Sequence, residues 1–182
     1  MFSQKLKNQL HEAIREIEGY PRAGILFRDI TPLINHPTLF FRLIETLRVR
    51  YQHHSIDFVV GIEARGFILG ASLAYALGAG FAPVRKKGKL PFKTISASYQ
   101  MEYGMDSVEM HTDALREIKD AHVLLIDDLI ATGGTALASL ELLDRLQAKC
   151  LEACFLINLT ELGGLEKVAE KVNTFSILEY PC

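Results

Sequence analysis

The sequence has no tryptophan, three cysteines and no apolar run that approaches the length of a membrane span. Cys150, Cys154 and Cys182 form neither a CxxC pair nor a Cys/His metal spacing. Cys150 and Cys154 flank a predicted strand and read as small apolar residues. So sparse and odd a set suits a reducing compartment. The N-terminus also lacks the uninterrupted apolar segment of a secretory signal, so a cytoplasmic location is expected. The formal net charge is only -2, so no global field draws the chain to nucleic acid or to an anionic membrane. Neither GxxxxGK followed by Ser or Thr nor GxGxxG occurs, which removes the main support for a Walker-type nucleotidase or a dinucleotide enzyme.

What remains is ordinary globular composition: 182 residues, 49% hydrophobic and 23% charged. That length predicts one domain, 1–182, with a small appendage. Leu6, Leu10, Ile14 and Ile17 recur at helical spacing and predict a helix over Ser3–Ile17, ended by Gly19 and Pro21. Tyr20–Leu33 is irregular, and Pro37–His53 reads as helix. Apolar strands are predicted at Asp57–Ile62, Gly80–Val84, Ala121–Ile126, Leu151–Leu159 and Thr174–Leu178. Helices are predicted between them at Gly66–Leu77, Gly134–Ala148 and Leu165–Lys171. Between Lys89 and Thr112, alternation at Thr94–Tyr99 and Val108–Met110 predicts two strand arms with a polar tip. Strands alternating with helices imply an α/β fold, a mainly parallel sheet flanked by helices.

The segment richest in chemistry is Val123–Thr135, VLLIDDLIATGGT. An apolar strand runs into two carboxylates and then into a small-residue turn that opens a helix. A turn of Ala131, Thr132, Gly133, Gly134 and Thr135 at a helix N-terminus offers free backbone N–H groups and hydroxyls to a phosphate. Asp127 and Asp128, at the carboxyl end of the strand, can accept hydrogen bonds from vicinal ribose hydroxyls. The plainer reading is a helix capped by Thr132 or Thr135, with solvated aspartates.

Taken whole, that string resembles the phosphoribosyl pyrophosphate signature of the type I phosphoribosyltransferases. Four other segments are similar to the adenine phosphoribosyltransferases, in the same order and spacing. They are Gly24–Pro32 (GILFRDITP), Gly61–Phe67 (GIEARGF), Val84–Pro91 (VRKKGKLP) and Glu102–Gly104 (EYG). The resemblance spans about Pro21 to Glu161. It implies a small hood, drawn mainly from about residues 1–35, over the sheet. It implies transfer of 5-phosphoribosyl to N9 of adenine, giving AMP and pyrophosphate, in purine salvage. It also implies Mg²⁺ arriving with the substrate rather than at a dedicated metal site, and a homodimer with no nucleic-acid or membrane partner.

The resemblance assigns roles residue by residue, each beside a plainer one. Arg65 and Lys86 would meet charge developing on pyrophosphate, with Lys89 a further contact across the dimer or within one subunit. Arg65 could instead be a surface ion-pair former, and Arg85–Lys89 a solvated face. The turn before Arg65 is expected to contain a cis peptide at Glu63–Ala64 or Ala64–Arg65. Leu26, Phe27 and Arg28 would form the adenine site, with backbone groups on the base edge and Leu159 helping to line it. The plainer reading makes Phe27 a core anchor and pairs Arg28 with Asp29. Glu102, with Tyr103, would act as acid/base near N9 or N7 under a closing arm, or would be a simple turn. His11, His36, His111 and His122 are expected to be structural or exposed, and His53-His54 has no ligand partners. Two rival functions remain at this point: another purine phosphoribosyltransferase, or a regulator that binds phosphoribosyl pyrophosphate without turning it over.

Overall fold

The computed structural model describes residues 2–101 and 104–181. Its sheet has seven strands in the order β5-β6-β4-β3-β7-β8-β9. These are β3 (Phe58–Ile62), β4 (Gly80–Lys86), β5 (Thr94–Met101), β6 (Gly104–His111), β7 (His122–Ile130), β8 (Lys149–Leu159) and β9 (Thr174–Tyr180). β4, β3, β7, β8 and β9 run parallel, and β6 and β5 add an antiparallel hairpin at one edge. β3 is buried along its whole length and β7 along most of it, as central strands covered on both faces must be.

Helices cover the sheet on both sides. The first face carries α1 (Gln4–Glu12), α3 (Pro37–Tyr51) and α4 (Gly66–Leu77), whose Leu10, Leu43, Leu47 and Leu73 are buried against it. The second carries α5 (Gly134–Arg145) and α6 (Gly164–Ala169), which bury Leu142, Leu143 and Val168. Each such fully buried leucine contributes about 1.5–3 kcal/mol of transfer free energy. α3 starts cleanly because Pro37 needs no N–H partner and the His36 ring accepts the Leu39 N–H at 3.4 Å.

A separate two-stranded sheet pairs β1 (Arg15–Glu18) with β2 (Leu26–Asp29) antiparallel. A four-residue helix α2 (Thr31–Ile34) follows, its first free N–H held by Asp29 Oδ1 at 2.9 Å. The predicted Ser3–Ile17 helix therefore stops at Glu12. Ile14 and Ile17 fit helical spacing, but Arg15-Glu16-Ile17-Glu18 pairs with β2, and that pairing decides in favour of strand. The two arms are longer than the alternation suggested, and β7 runs on through both aspartates.

Candidate active site

A cavity of about 320 Å³ opens at the carboxyl ends of β3 and β7, over the N-terminus of α5. Open α/β sheets bind their ligands at this edge. Its wall includes Glu63–Arg65 from the β3–α4 turn, the whole stretch Asp127–Ala136, and Phe155 from β8. The sequence-predicted group Arg65, Asp127, Asp128, Ala131, Thr132, Gly133, Gly134 and Thr135 is thus gathered in one place. Phe155 and Leu129 also line it, and neither was singled out in the sequence. Their signal lies in strand register, since Asp127 pairs with Phe155 across β7 and β8.

No side chain caps α5. The first turn keeps its N–H groups, and the partial positive end of the helix, for a ligand. This removes the reading of Thr132 or Thr135 as a cap. Gly133 holds the turn at φ 84, where a Cβ would sit 2.9 Å from the Gly164 carbonyl oxygen. Only glycine fits both the dihedral and the space.

Asp128 is buried and takes an ion pair from Arg65 Nε. Asp127 Oδ1 accepts the Asp128 N–H at 2.8 Å. Burial, reinforced by the neighbouring Asp128 charge, pushes the Asp127 carboxyl well above its ordinary range. The Arg65 guanidinium lies 5.3 Å from the centre of the Phe27 ring. Arg65 is therefore held at the cavity wall between a carboxylate and an aromatic face, in an ion pair and with its side chain 38% exposed. The turn before it contains a cis peptide at Glu63–Ala64.

The basic segment stands beside the cavity, outside its lining residues. Lys86 Nζ bonds Asp106 Oδ2 at 2.6 Å. That bond raises the lysine's pKa and lowers the aspartate's. Arg85 pairs with Glu63 at 3.1 Å. Burial works against the Glu63 charge, but the bonds from Arg85 and the Lys86 N–H hold its carboxyl below the usual range. The segment is thus an organised loop and not a free charge run.

In the β1–β2 hairpin, Phe27 and Arg28 point to opposite faces, as neighbours in a strand must. Phe27 faces Arg65 and meets Tyr20 edge-on at 5.1 Å. Arg28 turns the other way and is buried. It pairs with Glu16, donates to the Pro181 carbonyl at 3.4 Å and lies over the Tyr180 ring. This corrects the plainer reading of its side chain: it is not the partner of Asp29, which binds Arg15 instead. The backbone of Leu26 and Arg28 stays available in β2. Leu159, at the end of β8, is partly buried against the core and is not among the cavity's lining residues. Glu102 and Tyr103 lie outside the described residues. His11 stacks on Tyr180, while His111 and His122 bond main-chain carbonyls.

Residues 30–179 match the phosphoribosyl transferase domain family, and the chain belongs to that family. It is 63% identical over 177 residues to the adenine phosphoribosyltransferase of Helicobacter pylori (strain ATCC 700392 / 26695), covering 97% of this chain and 99% of that one. Its identity to the Campylobacter hominis adenine phosphoribosyltransferase is 52%, with 97% of each chain covered. The crystal structure of the Rhodothermus marinus adenine phosphoribosyltransferase superposes with a TM-score of 0.91 at 46% identity, over 98% of this chain and 100% of that one. The Saccharomyces cerevisiae enzyme, crystallised with an imino-altritol bisphosphate and adenine, matches at 39% identity and a TM-score of 0.89, over 97% of this chain and 100% of that one. Within the family, the chain stands among the adenine phosphoribosyltransferases.

Proposed function

We propose that the cavity at Arg65, Asp127–Asp128 and Thr132–Thr135 is where 5-phosphoribosyl passes from phosphoribosyl pyrophosphate to adenine. The observation that carries this reading is the uncapped α5 N-terminus lining one cavity with the two β7 aspartates. The 5′-phosphate sits on the backbone N–H groups of Thr132–Thr135. Asp127 and Asp128 accept the ribose hydroxyls. The C1′–oxygen bond to pyrophosphate breaks, the N9–C1′ bond to adenine forms, and N9 gives up its proton. Positive charge gathers at C1′ and negative charge on pyrophosphate, so the protein mainly orients the reactants and meets the leaving charge. Arg65, Lys86 and Lys89 are the cations for that charge. Adenine lies against Phe27, with the backbone of Leu26 and Arg28 on its edge and Leu159 nearby. Glu102, with Tyr103, takes or relays the proton.

The donor set fits Mg²⁺ that arrives on its substrate. Three carboxylates line the cavity; Glu63 is taken up by Arg85, which leaves Asp127 and Asp128, and no group of three or more His, Cys, Asp or Glu is arranged to hold a metal ion among the described residues. A shared site of that kind suits Mg²⁺, and Asp127 and Asp128 are the residues that would approach it. When bound, the ion neutralises pyrophosphate charge. We read residues 1–182 as one unit, with the β1–β2 hairpin as its hood, acting as a cytoplasmic homodimer in purine salvage. Incubation with phosphoribosyl pyrophosphate, Mg²⁺ and each purine base in turn tests the substrate. AMP should form much faster than IMP, GMP or XMP. Comparable rates with hypoxanthine or guanine would overturn the adenine assignment, and no turnover with any base would favour a binding-only regulator.

A further inference from the structure

The end of β4 and the loop that follows carry Lys86, Lys87 and Lys89 within four residues. Like charges that close together repel, yet the loop has a defined path. Lys87 N–H bonds the Ser107 carbonyl at 3.1 Å, and Gly88 turns the chain at φ 80. The N–H groups of Gly88, Lys89 and Leu90 then converge on one oxygen of Glu109, at 3.0, 3.2 and 3.1 Å. Three consecutive N–H groups around one anion form a nest. Here the anion is the protein's own, and Glu109 is only 5% exposed. Glu109 stands directly opposite Arg85 in the β4–β6 register. From the other side, Arg85 donates to the Lys89 carbonyl at 3.0 Å and is itself held by Glu63 on the cavity wall. The loop is gripped at its N–H groups by one carboxylate and at a carbonyl by an arginine anchored to the other.

Burying a carboxylate is costly unless its bonds are made. β4 and β6 are already joined by their ladder at this point, so the ladder does not require it. What the buried charge does is fix the backbone from which Lys86 and Lys89 project, and offset their mutual repulsion. We infer that Glu109 is the positioning residue of the pyrophosphate clamp. It never touches substrate. It holds the lysine loop in its working shape before the substrate arrives, so that little reorganisation is needed when leaving charge develops. This inference rests on the phosphoribosyl-transfer reading of the cavity.

The test compares Glu109→Ala and Glu109→Gln with the unaltered protein. Glu109→Ala should raise the KM for phosphoribosyl pyrophosphate, and the inhibition constant of pyrophosphate, by about tenfold or more, since a loop displaced by about 1 Å can cost as much as 10²-fold. The KM for adenine should stay within about twofold. Glu109→Gln keeps an oxygen for the three N–H groups and should recover most of the loss. Hydrogen exchange at the amides of residues 88–90 should quicken in Glu109→Ala and stay slow in Glu109→Gln. If the alanine variant does not fold, Glu109→Asp, which withdraws the carboxylate by one methylene, should show the same split. An unchanged KM for phosphoribosyl pyrophosphate in a folded variant overturns the inference. So does an equal rise for both substrates, which is what mere destabilisation would give. The unaltered protein is the control for the reading beneath: if it makes no AMP, that reading fails, and the exchange result still reports on the loop.

Discussion

Alanine at Gly133 perturbs the turn that carries the proposed phosphate site. Gly133 has φ +84, and a Cβ there would meet the Gly164 carbonyl oxygen at 2.9 Å and its Cα at 3.2 Å. A side chain in the left-handed region costs about 1–2 kcal/mol. Forcing it against packed backbone adds about 1–3 kcal/mol. Gly163 is a matched control, because it has φ +63 but nothing within 4 Å of its Cβ position. It should carry the first cost and not the second. Each kcal/mol lowers Tm by about 2–4 °C in a chain of this size. Gly163→Ala should therefore lower Tm by about 2–8 °C, and Gly133→Ala by about 4–20 °C. Only Gly133→Ala should also raise the KM for phosphoribosyl pyrophosphate, because only it displaces the amides of Thr132–Thr135. Thermal scanning with steady-state kinetics reads both. Equal Tm shifts with no change in that KM would refute the view that close approach to Gly164 sets the turn.

Three further outcomes follow from the charges. Burial holds the Asp127 carboxyl above its ordinary 3.8, so its ionised form weakens the fold once pH passes that value; Asp127→Asn should raise Tm at neutral pH while lowering turnover, and a fall in Tm would contradict this. Asp106 is held below 3.8 and Lys86 above 10.5. Their pair should thus contribute fully between those values, fading as pH falls through the Asp106 pKa and as it rises through that of Lys86. The Tm gap between the unaltered protein and Asp106→Asn should be flat near neutrality and close in acid; a gap that persists unchanged at pH values well below 3.8 would rule the pair out. Glu102→Leu should lower turnover by about 10²–10⁴-fold, the usual contribution of general acid–base catalysis, with phosphoribosyl pyrophosphate binding kept; a near-full single-turnover rate would make Glu102 a turn residue only.

The β7–α5 string was readable because all its parts are contiguous. The apolar run, the two aspartates and the small-residue turn fall into place by local geometry alone, and α4 matched its predicted limits for the same reason. The β1–β2 hairpin was not readable, because its strands are set by pairing between Arg15–Glu18 and Leu26–Asp29, and spacing alone could not separate that from helix. Arg28 shows the same limit at the side-chain level. Its partners are Glu16 and, 153 positions away, Pro181, while the sequence offered only adjacent Asp29. Glu109 was passed over because nothing near it in sequence marks it; its three donors lie 19 to 21 positions earlier and meet it only through the β4–β6 register.

Phosphoribosyl transfer to adenine at Asp127 and Asp128, beside the α5 N-terminus, is checked by measuring AMP and pyrophosphate together, from adenine and phosphoribosyl pyrophosphate, for the unaltered protein and for the folded Asp127→Asn, Asp128→Asn double variant. The first should yield equal amounts of the two products, and the second should run slower by about 10²-fold or more. No AMP from the unaltered protein, or a double variant as fast as it, would place the transfer elsewhere or rule it out.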